Sequence, residues 1–427
     1  MDTIGRKTPV PLTFAEWRSL SPAAAAAEVH RRVAALPAPH RRAALAWLAP
    51  EPALAAALAS APAGALLRGV PYLLKDLFDV AGLPTGAGST FLASVRPTAG
   101  DSAVVRLLRA KGAALAGKTQ LVEFASGLTG ENPHFGDCPH PLFPGRLSGG
   151  SSSGSASLVA AGVTPLAIGT DTGGSVRVPA ACCGLYGFRL TPGDALIRDA
   201  FPLSPTMDTA GWFTANAADM RTMLDALVGP VAAVRPPRGA YLRGDRLVGG
   251  FDPAVDAACE AVASRLAGRL EAPAETALLA AWRDSIDAYL TIGMSEAHAV
   301  HRPWLEPHRG QYDPVIWQRF TDAGRWPPEK LAKARSVLES VRAAWTDFFQ
   351  QCDFLILPSA PGAAPTKAEC TPELRRRIIG LTAPASLGGL PCLSLPVPLG
   401  GGLTCGLQVI ARDPKSPVFT WALEMIR

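Results

Sequence analysis

The stretch "SGGSSSGSASLVAAGVTPLAIGTDTGGSVRVPAACCG", residues 148–184, decides the fold of this chain. It holds two Gly/Ser-rich turns, at residues 148–155 and 171–175, with apolar sequence between them and after them. Flexible linkers are depleted in apolar residues, so a linker does not account for this pattern. The stretch instead predicts a packed core from which two glycine-rich loops emerge.

Segments typical of strands and of helices alternate around this stretch. Residues 66–82 ("LLRGVPYLLKDLFDVAG") predict a buried strand that enters a loop. The segments "DSAVVRLLRAKG", "AALAGKT" and "LVEFASGL" then predict a helix, a strand and a second helix, and residues 352–361 and 389–411 predict further strands. Such close alternation favours a layered α/β core.

The apolar pattern divides the chain into an N-terminal extension and one core. Residues 1–65 are Ala-rich with apolar positions at helical spacing, which predicts an extension of two or three helices. Residues 66–427 form the predicted core. Within it, residues 229–247 are rich in Pro, Gly and Arg and predict a surface connection, and residues 280–350 predict a largely helical segment.

Composition limits the kinds of partner and location. A hydrophobic content of 48% supports a large buried core, and a net charge of +5 without a run of basic residues gives little support for nucleic-acid or membrane binding. No secretory signal or membrane-spanning stretch is visible. We therefore expect a cytoplasmic protein whose eight scattered cysteines are reduced.

The first glycine-rich turn matches a known nucleophile pattern. Residues 150–154 ("GSSSG") fit G-x-S-x-G, which would make Ser152 the nucleophile of an α/β-hydrolase. His298, His301 and His308 lie downstream as candidate bases. The preceding "HPLFPGRLS" resembles a loop rather than the strand that this elbow requires, so the context fits poorly.

The second turn predicts a site that stabilises negative charge. Consecutive backbone N–H groups of Thr172, Gly173, Gly174 and Ser175 are placed to converge on one point, as in an oxyanion hole. A serine needs a base, and no histidine is nearby in sequence. Lys75, in apolar sequence, is a candidate because burial would lower its pKa and leave a neutral amine.

Both candidates have a purely structural interpretation. Lys75 could instead reach the surface and pair with Asp76 or Asp79. Ser175 could simply cap a helix after a tight turn.

A third cluster, "HFGDCPH", brings together His134, Asp137, Cys138 and His140. Its spacing is not that of a standard zinc site, and no second ligand pair follows. We interpret it as a loop near the active site and expect no metal or other cofactor.

Several of these segments resemble one family of enzymes. Lys75 in "GVPYLLKDLFDVAGLPTGAGS", the tract of residues 148–188, and the later "DFLILPSAPGAAP" and "GLPCLSLPVP" are similar to the amidase signature family over residues 66–412. The resemblance implies an α/β/α sandwich with a large mixed central sheet. It also implies that residues 128–146 and 280–350 shape the substrate pocket.

The resemblance assigns roles to particular residues. It implies a Ser-cisSer-Lys triad in which Ser175 is the nucleophile, Ser151 the bridging serine and Lys75 the base, with a cis peptide bond between Gly150 and Ser151. The N–H groups of residues 172–175 would form the oxyanion hole. Supporting roles in the loops fall to Gly150, Ser152, Asp171 and Arg177.

The implied activity is hydrolysis of the C–N bond of a small or medium carboxamide, with an acyl-enzyme on Ser175. Two other enzymes share these motifs: the acyl-transfer component of a glutamine-dependent tRNA amidotransferase, and an allophanate- or carboxybiuret-type ureido-amide hydrolase. A catalytically silent scaffold is the alternative outside enzymes. The expected partner is the amide substrate, and the resemblance allows a homodimer.

Four departures from the family pattern accompany the resemblance. Ser148 and Ser153 stand where many members have Pro and Gly, Leu77 where Asn is common, and "GFRLTPG" replaces "GFKPT". None of them changes a triad residue.

Overall fold

One mixed sheet with helices on both faces forms the centre of the molecule. The computed structural model describes residues 10–98, 100–231 and 235–426. The sheet has eleven strands in the order β1-β3-β2-β4-β6-β5-β10-β11-β9-β7-β8. The strands are β1 (Leu45–Leu48), β2 (Pro71–Lys75), β3 (Ala114–Thr119), β4 (Leu166–Thr170), β5 (Tyr186–Arg189), β6 (Ala210–Thr214), β7 (Gly239–Tyr241), β8 (Gly268–Arg269), β9 (Phe354–Pro358), β10 (Cys392–Pro398) and β11 (Thr404–Ala411).

The helices cover both faces of this sheet and extend beyond it. They are α1 (Phe14–Ser19), α2 (Pro22–Ala35), α3 (Ala38–Ala44), α4 (Glu51–Ala59), α5 (Leu92–Val95), α6 (Ala103–Ala110), α7 (Ser153–Ala160), α8 (Arg177–Cys183), α9 (Ala217–Leu227), α10 (Pro253–Ala263), α11 (Ala272–Trp282), α12 (Ser285–His301), α13 (Pro314–Ala323), α14 (Pro328–Gln351), α15 (Pro372–Gly388) and α16 (Pro417–Met425). The predicted α/β/α sandwich with a large mixed sheet is confirmed.

Alternating side chains of the central strands feed two separate cores. In β2, Leu73 packs into the core shared with α7, α8 and α15. Its neighbours Tyr72 and Leu74 pack into the core shared with α6, α9, α10 and α16. Successive side chains of a strand point to opposite faces, so a continuous apolar run is what a strand buried on both faces requires.

The strand directions bring two loops to one edge of the sheet. Strand β2 runs parallel to β4, with Leu74 opposite Ile168. The carboxyl ends of parallel strands meet at the same edge, so Lys75 at the end of β2 lies beside Thr170 at the end of β4. The glycine-rich turn that follows β4 therefore starts next to Lys75.

Two sequence-based predictions of helix are wrong. Leu45–Leu48 is strand β1, which pairs antiparallel with β3 at the edge of the sheet. In residues 121–128 only a single 3₁₀ turn forms, because Val122 N–H donates to the Ser151 carbonyl oxygen and Phe124 N–H to that of Ala87. These bonds hold the segment against the first glycine-rich loop.

The predicted surface connection, residues 229–247, is partly a strand. Its residues 239–241 form β7, which pairs with β9, and residues 232–234 lie outside the described residues. The predicted N-terminal extension likewise contributes β1 to the sheet, and its residues 1–9 lie outside the described residues. The division of the chain at residue 65 stays a prediction.

The described helices are all too short or too polar to cross a bilayer.

The eight cysteines are free thiols, six of them buried.

Candidate active site

Lys75 lies at the end of β2 with its side chain fully buried. Its Nζ donates to Ser151 Oγ at 2.8 Å and to Thr170 Oγ1 at 2.7 Å. Both acceptors are neutral hydroxyls, and within the described ranges no carboxylate forms a salt bridge with Lys75. The structural alternative for Lys75, a reach to the surface, is wrong.

The two aspartates that follow along the chain pair with other cations. Asp76 contacts Lys118 at 2.5 Å, and Asp79 contacts Arg96 at 2.8 Å. Burial therefore dominates the titration of Lys75 and lowers its pKa from 10.5 to about 7, although Asp208 and Asp171 partly oppose this. A substantial fraction of Lys75 is thus a neutral amine at neutral pH.

The first loop, residues 148–152, presents Ser151 to Lys75. The peptide bond between Gly150 and Ser151 is cis, as the family resemblance implies. Gly150 N–H donates to the Leu128 carbonyl oxygen at 2.9 Å, and a Cβ at Gly150 would lie 2.9 Å from Val122 Cγ2. Only glycine fits this closely packed position.

The hydroxyl of Ser152 bonds to backbone groups and is not placed to act as a nucleophile. Its Oγ donates to the Thr170 carbonyl oxygen at 3.1 Å and accepts from Thr170 N–H at 3.3 Å. The downstream histidines form their hydrogen bonds elsewhere, with Phe320 (His298), Tyr312 (His301) and Gln311 (His308). The α/β-hydrolase interpretation is therefore wrong.

The second loop, residues 171–176, connects β4 to α8 and carries Ser175. Ser152 N–H donates to the Ser175 carbonyl oxygen at 3.3 Å, which joins the two loops beside the predicted triad. Ser175 lines a cavity, described below. Lys75, Ser151 and Ser175 are thus brought to one region by strands β2 and β4 and their loops.

Asp171 organises the second loop from inside. Its carboxylate accepts the N–H groups of Gly174, Val176 and Arg177 at 2.8, 3.1 and 3.2 Å. It also pairs with the guanidinium groups of Arg177 and Arg189, and all three side chains are fully buried. Burial would raise the pKa of Asp171, but the two arginines outweigh it and hold that pKa far below its ordinary range.

The predicted oxyanion donors need one correction. Gly174 N–H is taken by Asp171, and the positive φ of 124° at Gly174 explains why glycine is needed there. Among the described residues no acceptor is assigned to the N–H groups of Thr172, Gly173 and Ser175. These three donors remain available to a ligand.

Sequence reasoning missed several residues that support this loop. Thr172 Oγ1 donates to Asp208 at 2.6 Å, and burial raises the pKa of Asp208 to about 6. A Cβ at Gly173 would overlap the Tyr289 hydroxyl. Thr170 could have been found, since it ends a strand parallel to β2. Asp208 and Tyr289 lie far away in sequence, without a motif of their own.

Two cavities open at these loops. The larger, about 480 Å³, has Ser175 in its wall together with mainly apolar side chains; we call it the Ser175 cavity. A smaller cavity of about 230 Å³ lies at Thr170, Thr172 and Asp208. Ala125 lines both cavities. Phe124 and Ala125, which both have a positive φ, therefore lie between the two cavities.

The "HFGDCPH" cluster does not converge on one point. His134 Nε2 bonds Glu123 at 2.8 Å, whereas His140 Nε2 bonds the Cys182 carbonyl oxygen at 3.0 Å. The described residues contain no group of three or more His, Cys, Asp or Glu side chains arranged to hold a metal.

Comparisons with known proteins agree with this architecture. The amidase family model matches residues 38–415. The chain is 31% identical over 379 residues to the AtzE component of 1-carboxybiuret hydrolase from Pseudomonas sp. (strain ADP), covering 81% of this chain and 80% of that protein. It is also 29% identical over 381 residues to Amidase 1 of Oryza sativa subsp. japonica, covering 81% of this chain and 87% of that protein.

A crystal structure of an amidase superposes with a TM-score of 0.83 at 30% identity, covering 97% of this chain and 99% of that one. Fold and relatives together define a hydrolase that acts on carbon–nitrogen bonds. The chain belongs to the amidase signature family.

Proposed function

We propose that this protein hydrolyses a small or medium carboxamide through an acyl-enzyme on Ser175. The observation that carries the proposal is the fully buried Lys75, whose Nζ donates to Ser151 Oγ at 2.8 Å and whose pKa lies near 7. A base with a pKa near the working pH suits general acid–base catalysis. Ser151 then relays protons between Lys75 and Ser175.

The reaction starts with neutral Lys75. Lys75 Nζ takes the proton of Ser151 Oγ, and Ser151 takes that of Ser175, as Ser175 Oγ bonds to the amide carbon. The carbonyl π electrons move to oxygen. The N–H groups of Thr172, Gly173 and Ser175 support this step because their hydrogens have no acceptor among the described residues.

Collapse of the tetrahedral intermediate completes acylation. The electron pair on oxygen re-forms the carbonyl as the C–N bond breaks, and the leaving nitrogen takes a proton from Lys75 through Ser151. The smaller cavity at Thr170 and Asp208 is the expected place for the leaving amine or ammonia. A water molecule then attacks the acyl-enzyme with the same proton relay, which releases the acid and frees Ser175.

The experiment is ammonia or amine release from a panel of aliphatic, aromatic and ureido amides, with glutamine included. Wild type should hydrolyse one class, and Ser175→Ala and Lys75→Met should each lose about 10³-fold or more in kcat/KM. Ser340→Ala, an exposed serine on α14, is the matched control and should keep the activity. Retained activity in Ser175→Ala would contradict the proposal.

The alternatives give different results in the same experiment. Turnover of glutamine that depends on copurified partner chains would favour the amidotransferase, and turnover confined to ureido compounds would favour the allophanate or carboxybiuret type. A scaffold would hydrolyse no amide. The apolar walls of the Ser175 cavity favour a carboxamide with an apolar acyl part.

A homodimer and a cytoplasmic location are further parts of the proposal. Light scattering of the purified chain tests the dimer. The eight free cysteines support a reducing compartment, and fractionation of the source cells tests it.

A further inference from the structure

The wall of the Ser175 cavity carries four charged side chains among otherwise mainly apolar ones. They are Arg319, Asp322, Arg375 and Arg376. A charge in an apolar wall is unfavourable unless an opposite charge or hydrogen bonds compensate it. The partners of these four side chains therefore determine which charge is left for a ligand.

Two of the arginines have carboxylate partners. Arg375 contacts Glu131, whose carboxylate also lies 3.0 Å from Lys367 Nζ. Arg376 Nη1 lies 3.0 Å from Asp287 Oδ1 near the protein surface. Both guanidinium groups are thus already engaged.

The carboxylate of Asp322 is engaged in the same way. It accepts from Gln318 Nε2 at 2.7 Å, and Arg325 Nη1 lies 3.7 Å away. Its polar partners are thus Gln318 and Arg325, and among the described residues no salt bridge joins it to Arg319.

Arg319, on α13, differs from these three. Within the described ranges no carboxylate lies within 4.0 Å of its guanidinium, and its one hydrogen bond is from Nη1 to the Ser126 carbonyl oxygen at 3.3 Å. The side chain is half-buried, and burial and the nearby Arg375 hold its pKa below the ordinary value, although the carboxylates of Asp313 and Glu131, beyond salt-bridge distance, partly oppose this. A guanidinium has five N–H donors, so most of them remain for a ligand.

We infer that Arg319 binds a carboxylate on the acyl part of the substrate, so that the enzyme prefers apolar amides that carry one negative charge. This rests on the proposed function, because it places the acyl group in the cavity that contains Ser175. The guanidinium matches a carboxylate with two parallel hydrogen bonds. The apolar walls bury the rest of the acyl group and strengthen that ion pair.

The test compares amides that differ only in charge. One pair is 4-(carbamoylmethyl)benzoate and 4-nitrophenylacetamide, in which a nitro group replaces the carboxylate at nearly the same shape. The aliphatic pair is adipic acid monoamide and 6-methylheptanamide, in which an isopropyl group replaces the carboxylate. Calorimetry measures their binding to the Ser175→Ala variant, which should not consume them.

We expect the Ser175→Ala variant to bind the carboxylate of at least one pair about 10- to 100-fold more tightly, the effect of a charge-assisted bond. Adding Arg319→Gln should abolish the preference, and Arg319→Lys, which keeps the positive charge, should retain part of it. Arg302→Gln, an exposed arginine at the end of α12, is the control. No preference in either pair, or a preference that survives Arg319→Gln, would overturn the inference.

Turnover by the enzyme with Ser175 intact separates this inference from the proposed function. A carboxylate preference in binding without ammonia release from any amide would refute the hydrolytic proposal and leave the Arg319 subsite standing. Ammonia release with equal binding within both pairs would refute the Arg319 subsite and leave the hydrolytic proposal standing.

Discussion

The pH dependence of amide hydrolysis tests the neutral state of Lys75. Burial lowers the pKa of Lys75 to about 7, and the proposed reaction starts only after the ammonium has lost its proton. We expect kcat/KM to rise with pH through a midpoint near 7 and then level off. At about pH 5, two units below that pKa, about 1% of Lys75 is neutral, so kcat/KM should fall about 100-fold.

Asp208→Asn should move this midpoint in a known direction. The negative charge of Asp208 is the largest influence that raises the pKa of Lys75 against the effect of burial. Removing that charge lowers the pKa of Lys75 further, so the midpoint should shift to lower pH. Asp245→Asn, which removes an exposed carboxylate paired with Arg243, should leave it in place.

The assay is kcat/KM for ammonia release between about pH 5 and pH 10 in buffers of constant ionic strength. Denaturant titration at each pH verifies that the protein stays folded. A midpoint near 10, the ordinary range for lysine, would refute the reasoning. A profile that is flat from pH 5 to pH 8 would refute it too.

Four substitutions follow from the same geometry. Thr170→Val removes one acceptor of Lys75 Nζ with little change in shape, so we expect a loss of about 10- to 100-fold in kcat/KM; an unchanged value would contradict this. Gly173→Ala puts a Cβ onto the Tyr289 hydroxyl and should lower kcat more than tenfold, whereas Gly249→Ala, whose Cβ would meet nothing within 4 Å, should not. Asp171→Asn leaves two buried arginines short of a charge and should lower the free energy of unfolding by about 3–5 kcal/mol in urea titrations; a loss below about 1 kcal/mol would argue against it. Lys75→Met should raise the free energy of unfolding by about 1–3 kcal/mol at pH 7. A lysine whose pKa is lowered in the folded state destabilises the fold fully below that pKa and progressively less between pH 7 and 10.5, and the loss of its bonds to two hydroxyls offsets part of the gain. The same gain at pH 10 would contradict the explanation.

Local sequence was sufficient to predict one strand and the two glycine-rich loops that hold the proposed triad. The apolar run ending at Lys75 predicts β2. The apolar residues between the two glycine-rich turns predict only buried sequence, which the structure divides into α7 and the strand β4. Parallel pairing of these strands then fixes their carboxyl ends at one edge. The role of each triad residue came from the family resemblance rather than from the pattern.

Tertiary contacts determined what the sequence could not predict. Residues 121–128 have a helical pattern, yet hydrogen bonds to Ala87 and Ser151 hold Phe124 and Ala125 at positive φ. Leu45–Leu48 has a helical pattern in sequence but forms a strand, because its backbone pairs by hydrogen bonds with strand β3. Tyr289 and Arg319 lie in the helical segment of residues 280–350, and only packing decides which of its side chains face the cavity.

The most direct test of the central claim is the location of the covalent intermediate. The protein would be treated with a fluorophosphonate, which bonds to activated serines, or its reaction with a good amide substrate would be quenched with acid. Peptide mass spectrometry then locates the adduct. We predict an adduct on Ser175 that forms in wild type and is strongly reduced in Lys75→Met. An adduct on Ser151 or Ser152, or amide hydrolysis with Ser175 unmodified throughout, would contradict the account.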